Sequence, residues 1–249
     1  MEVDGSRASI TLDQPQRRNP QSPAFWAALA AAGSALPARV RVVVVRAEGP
    51  SFSAGLDRRM FTSEGIPGQA SLAALASVPP DELDATIAGY QRAFSWLRAP
   101  ELISVAAVQG HAVGAGFQLA LACDLRVLAD DAQLAMRETV LGLVPDLGGT
   151  GVLVEAIGYA RALQMCLSGR SMGADEAVAC GLAVHAVPRP ELDTATDALV
   201  EAILAAPAGA VAETKALLQG AGSRDPAGQL AAERAAQIRR LTALAGGAT

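Results

Sequence analysis

Apolar residues along this chain fall into short runs first and longer, helix-spaced patterns later. The run at 42–45 is four consecutive valines without polar alternation, which is typical of a strand buried on both faces. Similar runs rich in β-branched and small residues predict further strands. The predicted strands are 8–12, 40–46, 102–108, 125–129 and 132–136. The first part of the chain is therefore expected to form a sheet.

Helical spacing appears between and after these runs. The Ala-rich segment 23–36 follows Ser22, a suitable N-cap, and places Pro23 at the first helical position. A second helix is predicted around 83–97, where apolar residues recur at steps of four and three before Pro100. Residues 61–80, rich in Gly and Pro, predict a mobile loop, and from about residue 150 the pattern is helical except at 184–187. The fold class is therefore α/β, with a helical C-terminal part.

Composition narrows the class of protein. With 249 residues, 51% of them hydrophobic and 18% charged, the chain has enough apolar material for one large folded domain. The net charge of −5 argues against a nucleic-acid partner. Three cysteines without metal-type spacing predict neither a disulfide framework nor a metal site. The acidic start and the short apolar runs predict no signal peptide and no membrane span, so we expect a cytoplasmic protein.

Two glycine-punctuated segments each follow a predicted strand. They are Phe52-Ser53-Ala54-Gly55-Leu56-Asp57 and Gly110-His111-Ala112-Val113-Gly114-Ala115-Gly116-Phe117-Gln118. The second runs into a predicted helix over 114–123, whose free N-terminal N–H groups could hold an anionic oxygen. Close packing of a strand on a helix would require the same small residues, and taken alone the pattern favours that interpretation. A dinucleotide-binding turn is excluded because Leu119 stands where the third glycine would be.

Five motifs in register carry a resemblance to a known family. They are Leu12-Asp13-Gln14-Pro15 with Asn19, the segment 52–57, the segment 110–124, Gly142-Leu143-Val144-Pro145 with Gly148-Gly149-Thr150, and Thr214-Lys215-Ala216. In this order and spacing the chain resembles the crotonase (enoyl-CoA hydratase/isomerase) superfamily from about residue 8 to Lys215. The resemblance implies a spiral of ββα units over 1–188, followed by a helical region over 189–249 that mediates homotrimers or hexamers.

The resemblance also implies an acyl-CoA thioester as the substrate, with coenzyme A as part of that substrate and no separate cofactor. Two backbone N–H groups, matched to Ala54 and Ala115, would polarise the thioester carbonyl. Contacts with coenzyme A are expected from the remaining matched positions. These positions are Arg17, Leu56, Gly114 and Gly116.

Three polar residues bear on the reaction. Family hydratases use two glutamates, and their positions match Gln118 and Glu138. Glutamine cannot accept a proton, which counts against two-base hydration. Asp146 lies eight residues after Glu138, where dienoyl-CoA isomerases of the family also carry an acid. The resemblance therefore favours double-bond isomerisation, with Glu138 as the principal base and Asp146 as its partner.

Other interpretations of the same residues stay open. Glu138 alone, assisted by Gln118, could hydrate an enoyl-CoA, or the chain could bind acyl-CoA without catalysis. Asp146 could be the nucleophile of a hydrolase or dehalogenase, which the aromatic content of 4% makes less favourable. Asp146 could also be a turn residue after Pro145, and Gln118 an ordinary residue on a helix face.

Overall fold

The computed structural model describes residues 1–246. The strands are β1 (Glu2–Asp4), β2 (Arg7–Leu12), β3 (Pro20–Gln21), β4 (Val42–Ala47), β5 (Gly55–Leu56), β6 (Ile103–Val108), β7 (His111–Val113), β8 (Leu125–Ala129), β9 (Gln133–Ala135), β10 (Ser171–Gly173) and β11 (His185–Val187). The helices are α1 (Pro23–Ser34), α2 (Leu72–Ala76), α3 (Pro80–Ser95), α4 (Ala115–Ala122), α5 (Gly149–Ile157), α6 (Tyr159–Ser168), α7 (Ala174–Ala179), α8 (Leu192–Ala205), α9 (Ala208–Gly220) and α10 (Pro226–Ala245). Short 3-10 turns connect several of these elements.

A six-stranded sheet forms the centre of the molecule, with the strand order β1-β2-β4-β6-β8-β11. All neighbours pair in parallel except β1 with β2. The four valines of β4 are fully buried. Val43 and Val45 belong to the main core, whereas Val42 and Val44 pack with apolar residues of α8 on the other face. The sequence prediction of a strand covered on both sides is confirmed, and α8 provides the second cover.

Two small sheets lie beside the central one. One has the order β10-β9-β7, and the other consists of β3 and β5. Of the strands in these two sheets, the apolar pattern predicted β9 but not β3, β5, β7 or β10, which are two or three residues long. Their hydrogen bonds come from partners distant in the chain, such as β3 pairing with β5 across the whole of α1 and β4. These short strands turn out to shape the candidate site.

The predicted helix after Ser22 is present, and the Ser22 side chain accepts a hydrogen bond from Phe25 N. The prediction that residues 61–80 form only a loop is wrong, because they contain α2. The Ser71 side chain caps α2 by accepting from Ala74 N, and Gln69 Oε1 accepts from Ala24 N of α1. A single-turn helix of five residues is too short to leave a periodic signal in the sequence.

After β11 the chain is helical to the end of α10. Lys215, the only lysine, anchors α9 to the core: its ammonium group donates to Asp124 Oδ2 at 2.7 Å and to the carbonyls of Ala99 and Leu102. Burial lowers the pKa of Lys215, and the Asp124 carboxylate opposes that shift. The predicted role of 189–249 in oligomerisation stays a prediction, and its last three residues lie outside the described part.

Within residues 1–246 no single helix has the length and apolar content to cross a bilayer. Residues 189–205 and 208–220 meet those two criteria only when counted as one pair, and they bend by 105° at the break between them.

Candidate active site

The site is built around the first turn of α4. Gly114 precedes the helix with φ +54° and ψ −122°, a conformation that only glycine adopts without strain. Ala115, which follows, is the first helical residue, so its N–H has no acceptor within the helix. That N–H makes no hydrogen bond to any other residue in 1–246. A free donor at the positive end of a helix is suited to bind a partly negative oxygen.

Strand β5 brings a second set of backbone donors next to Ala115. The expectation that Ala54 supplies a free N–H is corrected by the structure, because Ala54 N–H donates to the carbonyl of Arg18 at 2.8 Å. Leu56 pairs with Gln21 of β3 in parallel. In such a pair the hydrogen bonds come from the residues on either side of Leu56, and Asp57 N donates to the carbonyl of Gln21 at 2.7 Å. The N–H of Leu56 itself therefore points away from β3.

Glycines let β5 approach α4 closely. A Cβ on Gly55 would lie 2.3 Å from the carbonyl oxygen of Val113 and 3.4 Å from Ala115 N. A Cβ on Gly116 would lie 2.5 Å from the carbonyl oxygen of Ser53. A side chain at position 116 would therefore collide with the backbone of Ser53, and the contact of Gly116 with coenzyme A stays a prediction. Gly114, by contrast, faces a carboxylate of the site.

That carboxylate belongs to Glu138, which follows β9. Gly114 N donates to the carbonyl of Ala135 at 2.9 Å, and this bond holds the end of β9 against the start of α4. A Cβ on Gly114 would lie 3.4 Å from Glu138 Oε1. The other oxygen, Oε2, is buried and has no hydrogen-bond partner among residues 1–246. Burial raises the pKa of Glu138, and a hydrogen bond from Gln118 opposes the rise.

Gln118 is 1% exposed and its amide is engaged at both ends. Its Nε2 donates to Glu138 Oε1 at 2.7 Å. Its Oε1 accepts from Leu147 N at 2.9 Å and from Gly149 N at 3.4 Å. Because the carbonyl end faces two backbone donors, the amide cannot rotate without leaving those N–H groups unpaired. Gln118 thus joins Glu138 to the turn 145–149.

Asp146 lies on that turn, within electrostatic reach of Glu138. Burial is the main cause of the raised pKa of Glu138 and of Tyr90 on α3, and the charge of Asp146 adds to both shifts. Burial raises the pKa of Asp146 itself, and the carboxylate forms no ion pair within the described residues. On its outer side, the carbonyl of Asp146 accepts from Gln91 Nε2 at 2.7 Å. The structure therefore brings together Gln118, Glu138 and Asp146, which lie far apart in the sequence.

Arg17 lies behind Leu56, in an ion cluster. Asp57, 3% exposed, accepts hydrogen bonds from the guanidinium groups of Arg17 and Arg59, at 2.8 Å in each case. The hydrogen bond from Arg59 is the main reason that the pKa of Asp57 falls to about 2. Both arginines remain about half exposed. The cluster fixes the end of β5 and presents two cations to solvent beside Leu56.

This cluster gives a pH-dependent prediction. A carboxyl whose folded pKa is lowered adds stability above its ordinary value near 3.9, and loses it as pH falls towards 2. We expect Asp57→Asn to reduce the free energy of unfolding by about 2 kcal/mol at pH 7, with the difference from wild type shrinking between pH 4 and pH 2. Urea unfolding of wild type and Asp57→Asn between pH 2 and pH 7 measures this difference in the free energy of unfolding. Glu213→Gln, which breaks the exposed pair with Arg239, is the control and should cost much less stability, because solvent screens that pair. A pH-independent difference for Asp57→Asn would contradict this account.

Sequence reasoning placed Leu56 in the site, although not as an N–H donor, and it missed Gln91. The direction of a backbone N–H depends on which strand pairs with it, and β3 was not predicted. Gln91 was one polar position on an amphipathic helix, and no sequence signal connects it to Asp146, 55 residues away.

Comparison with known proteins finds relatives along almost the whole chain. The family profile described as Enoyl-CoA hydratase/isomerase matches residues 2–241. The chain is 32% identical to "Putative enoyl-CoA hydratase/isomerase YhaR" of Bacillus subtilis, over 95% of this chain and 88% of that protein. It is also 32% identical to "Probable enoyl-CoA hydratase" of Rhodobacter capsulatus, over 93% of this chain and 85% of that protein.

Among solved structures, the fold matches a Thermobifida fusca protein described as "a putative enoyl-CoA hydratase" in complex with acetoacetyl-CoA. The TM-score is 0.93 and the identity 49%, over 97% of this chain and 93% of that one. An enoyl-CoA hydratase from Polaromonas sp. JS666 superposes with a TM-score of 0.84 at 28% identity, over 100% of this chain and 96% of that one. The predicted α/β crotonase-like fold is confirmed by these matches.

Proposed function

Because the chain belongs to the enoyl-CoA hydratase/isomerase family of acyl-CoA enzymes, we propose that it moves a double bond within an enoyl-CoA in preference to hydrating it. One observation carries the proposal. At the position of the first acid stands Gln118, an amide whose oxygen is committed to two backbone N–H groups, while Glu138 Oε2 is buried with no hydrogen-bond partner among residues 1–246. The site thus offers Glu138 as a base, while the position of the other glutamate that would hold a water with it is an amide.

The thioester oxygen would lie between the N–H groups of Ala115 and Leu56. Ala115 N–H is free at the start of α4, and Leu56 N–H points away from β3 on the strand that packs against that start. Removing a proton from C2 converts the thioester into an enolate, whose negative oxygen binds these donors more strongly than the neutral carbonyl does. Each donor is expected to contribute about 3–4 kcal/mol to lowering the barrier.

Two carboxyl groups would move the proton. Glu138 Oε2 takes a proton from C2 of a 3-enoyl-CoA, and the electrons of the broken C–H bond form the C1–C2 double bond of the enolate as the carbonyl electrons move to the oxygen. When the carbonyl re-forms, the C1–C2 electrons become the C2–C3 double bond and the C3–C4 electrons form the new C–H bond at C4. Asp146, whose pKa is raised by burial, delivers a proton to C4. Proton transfer from Glu138 to Asp146 restores the site. In a 3,5-dienoyl-CoA the same relay ends at C6.

The ligand proposed for this chain is an acyl-CoA thioester. The Thermobifida fusca structure in complex with acetoacetyl-CoA, 49% identical to this chain, supports this ligand class. Coenzyme A would pass Leu56 and the exposed guanidinium of Arg17, while Gly114 leaves the reacting carbons access to Glu138. The chemistry uses coenzyme A only as part of the substrate. A cytoplasmic location stays a prediction.

We further propose that the chain assembles as a homotrimer or as two stacked trimers. Large apolar side chains on α9 and α10 are more than half exposed in the single chain. They are Leu218, Leu230, Ile238, Leu241 and Leu244. A soluble monomer rarely exposes such a set without a partner. Light scattering should give a mass three or six times that of the chain, and a monomer at micromolar concentration would contradict the proposal.

The reaction is tested by incubating the protein with 2-enoyl-, 3-enoyl- and 3,5-dienoyl-CoA while absorbance and product mass are followed. We expect conversion of the 3-enoyl or 3,5-dienoyl substrate to its conjugated isomer, slowed at least tenfold by Asp146→Asn. Rapid formation of 3-hydroxyacyl-CoA, unaffected by Asp146→Asn, would show hydration by Glu138 alone. A covalent acyl adduct on Asp146, detected by mass spectrometry, would show a nucleophilic role for that residue.

A further inference from the structure

Two glutamines hold the turn 145–149 from opposite sides. Gln118 lies on the inner side, where its carbonyl oxygen accepts from Leu147 N and Gly149 N. Gln91 of α3 lies on the outer side, where its amide donates to the Asp146 carbonyl at 2.7 Å. No other residue of 1–246 forms a hydrogen bond with the backbone of Asp146. The peptide group between Asp146 and Leu147 is therefore held by Gln118 at its N–H and by Gln91 at its carbonyl, and Gln91 is the partner on the side of Asp146.

We infer that Gln91 is a positioning residue that holds the Asp146 carboxyl in place for the second proton transfer. The inference rests on the proposed function, in which Glu138 removes the first proton and Asp146 delivers the second. Within residues 1–246 the Gln91 side chain forms its hydrogen bond with the Asp146 carbonyl and with neither carboxylate. Its effect is transmitted through the Asp146 carbonyl, on the same residue as the proton-delivering group.

The support behind Gln91 is rigid enough for this role. Its neighbour Tyr90 packs against Trp26 of α1, with ring centroids 4.7 Å apart, and the fully buried Phe94 lies one turn further along α3. The α3 helix is therefore fixed to α1 independently of the turn. A side chain anchored on such a helix holds a flexible Pro-Asp-Leu-Gly-Gly turn better than a second loop would.

Gln91 differs from Gln118 in being exposed, so that its replacement leaves the core unchanged. Loss of one hydrogen bond of this kind is expected to change a rate by about three- to tenfold. The Gln91→Leu substitution should affect the two proton transfers differently. Exchange of the C2 hydrogen with solvent, which requires Glu138 alone, should persist. Net transfer of the double bond, which also requires Asp146, should be slowed.

The experiment compares wild type, Gln91→Leu and Gln219→Leu. Gln219 is the matched control, because it is also an exposed glutamine whose Nε2 donates to a backbone carbonyl, that of Arg98, at 2.8 Å. For each protein we would measure C2 deuterium exchange by NMR and isomerisation of a 3-enoyl-CoA by absorbance. We expect a three- to tenfold fall in the ratio of isomerisation to exchange for Gln91→Leu alone. An unchanged ratio, or an equal loss of both rates, would overturn the inference.

A second measurement separates this inference from the proposed function. The pKa of Asp146 is read from its side-chain carboxyl carbon by NMR, with Asp146→Asn identifying the signal. The titratable groups that interact with Asp146 are Glu138 and Tyr90. We expect Gln91→Leu to return the pKa of Asp146 towards its ordinary value, as the carboxyl moves into solvent. If the wild type isomerises no enoyl-CoA, the proposed function fails, and this titration still decides whether Gln91 positions Asp146: an unchanged pKa would refute it.

Discussion

Replacing Glu138 with glutamine is expected to lower kcat for isomerisation by about 10²- to 10⁴-fold, the range that a general base typically contributes. The substitution keeps the size and shape of the side chain. A glutamine at 138 can turn its carbonyl towards Gln118 Nε2, so the 2.7 Å hydrogen bond between the two side chains is retained. What is lost is Oε2 as a proton acceptor. KM and the binding of coenzyme A should change little, since Glu138 contacts the reacting carbons only.

Steady-state kinetics with a 3-enoyl-CoA and calorimetric titration with coenzyme A measure these two effects separately. Glu155→Gln is the matched control, because Glu155 is 74% exposed and forms only a long 3.7 Å pair with Arg98. Its activity should equal that of wild type. Retention of more than a tenth of kcat in Glu138→Gln would remove Glu138 from the mechanism. Loss of turnover together with coenzyme A binding would instead point to a folding defect.

The second large effect is expected from a single backbone atom. Replacing Leu56 by its α-hydroxy acid counterpart converts the N–H into an ester oxygen and leaves the side chain unchanged. Because this N–H is proposed to hold the enolate oxygen with Ala115, we expect kcat to fall by about 10²- to 10³-fold. The unfolding midpoint should change little, since Leu56 N–H points away from β3.

The same amide-to-ester exchange at Ala54, two positions before Leu56, is the control. Ala54 N–H donates to Arg18 O at 2.8 Å, so its removal should reduce stability by about 1 kcal/mol. Catalysis should fall by less than tenfold. The opposite result, a large loss of kcat at position 54 and none at 56, would restore the assignment made from the sequence alone. Kinetics and urea unfolding of both ester proteins decide between them.

Elements with a strong local signal could be predicted from the sequence. The N-cap at Ser22 and the buried valine strand follow from hydrogen bonding and burial within a few residues. The motif resemblance also placed Gln118, Glu138 and Asp146 together, and the structure brings them around one turn. The short β3 and β5, whose paired residues lie 35 positions apart in the sequence, left no comparable signal.

The assignment of Ala54, in place of Leu56, as the N–H donor was wrong for the same reason: the pairing of β3 with β5 left no signal in the sequence. Motif matching locates a segment but not the hydrogen-bond partner of each N–H in it. The carbonyl of Arg18, which precedes β3, takes the N–H of Ala54, whereas the N–H of Leu56 points away from β3. The role of Gln118 was equally hidden, because the partners of its carbonyl oxygen lie on a turn 29 and 31 residues away.

The proposal that this site transfers protons without adding water is tested most directly by turnover in H₂¹⁸O. Purified protein is given a 3-enoyl-CoA, and the products are resolved by mass spectrometry over the first turnovers. The account predicts that the 2-enoyl-CoA product, unlabelled and of unchanged mass, forms at least tenfold faster than any ¹⁸O-labelled 3-hydroxyacyl-CoA. A labelled 3-hydroxyacyl-CoA that appears as fast as the isomer, or faster, would contradict it.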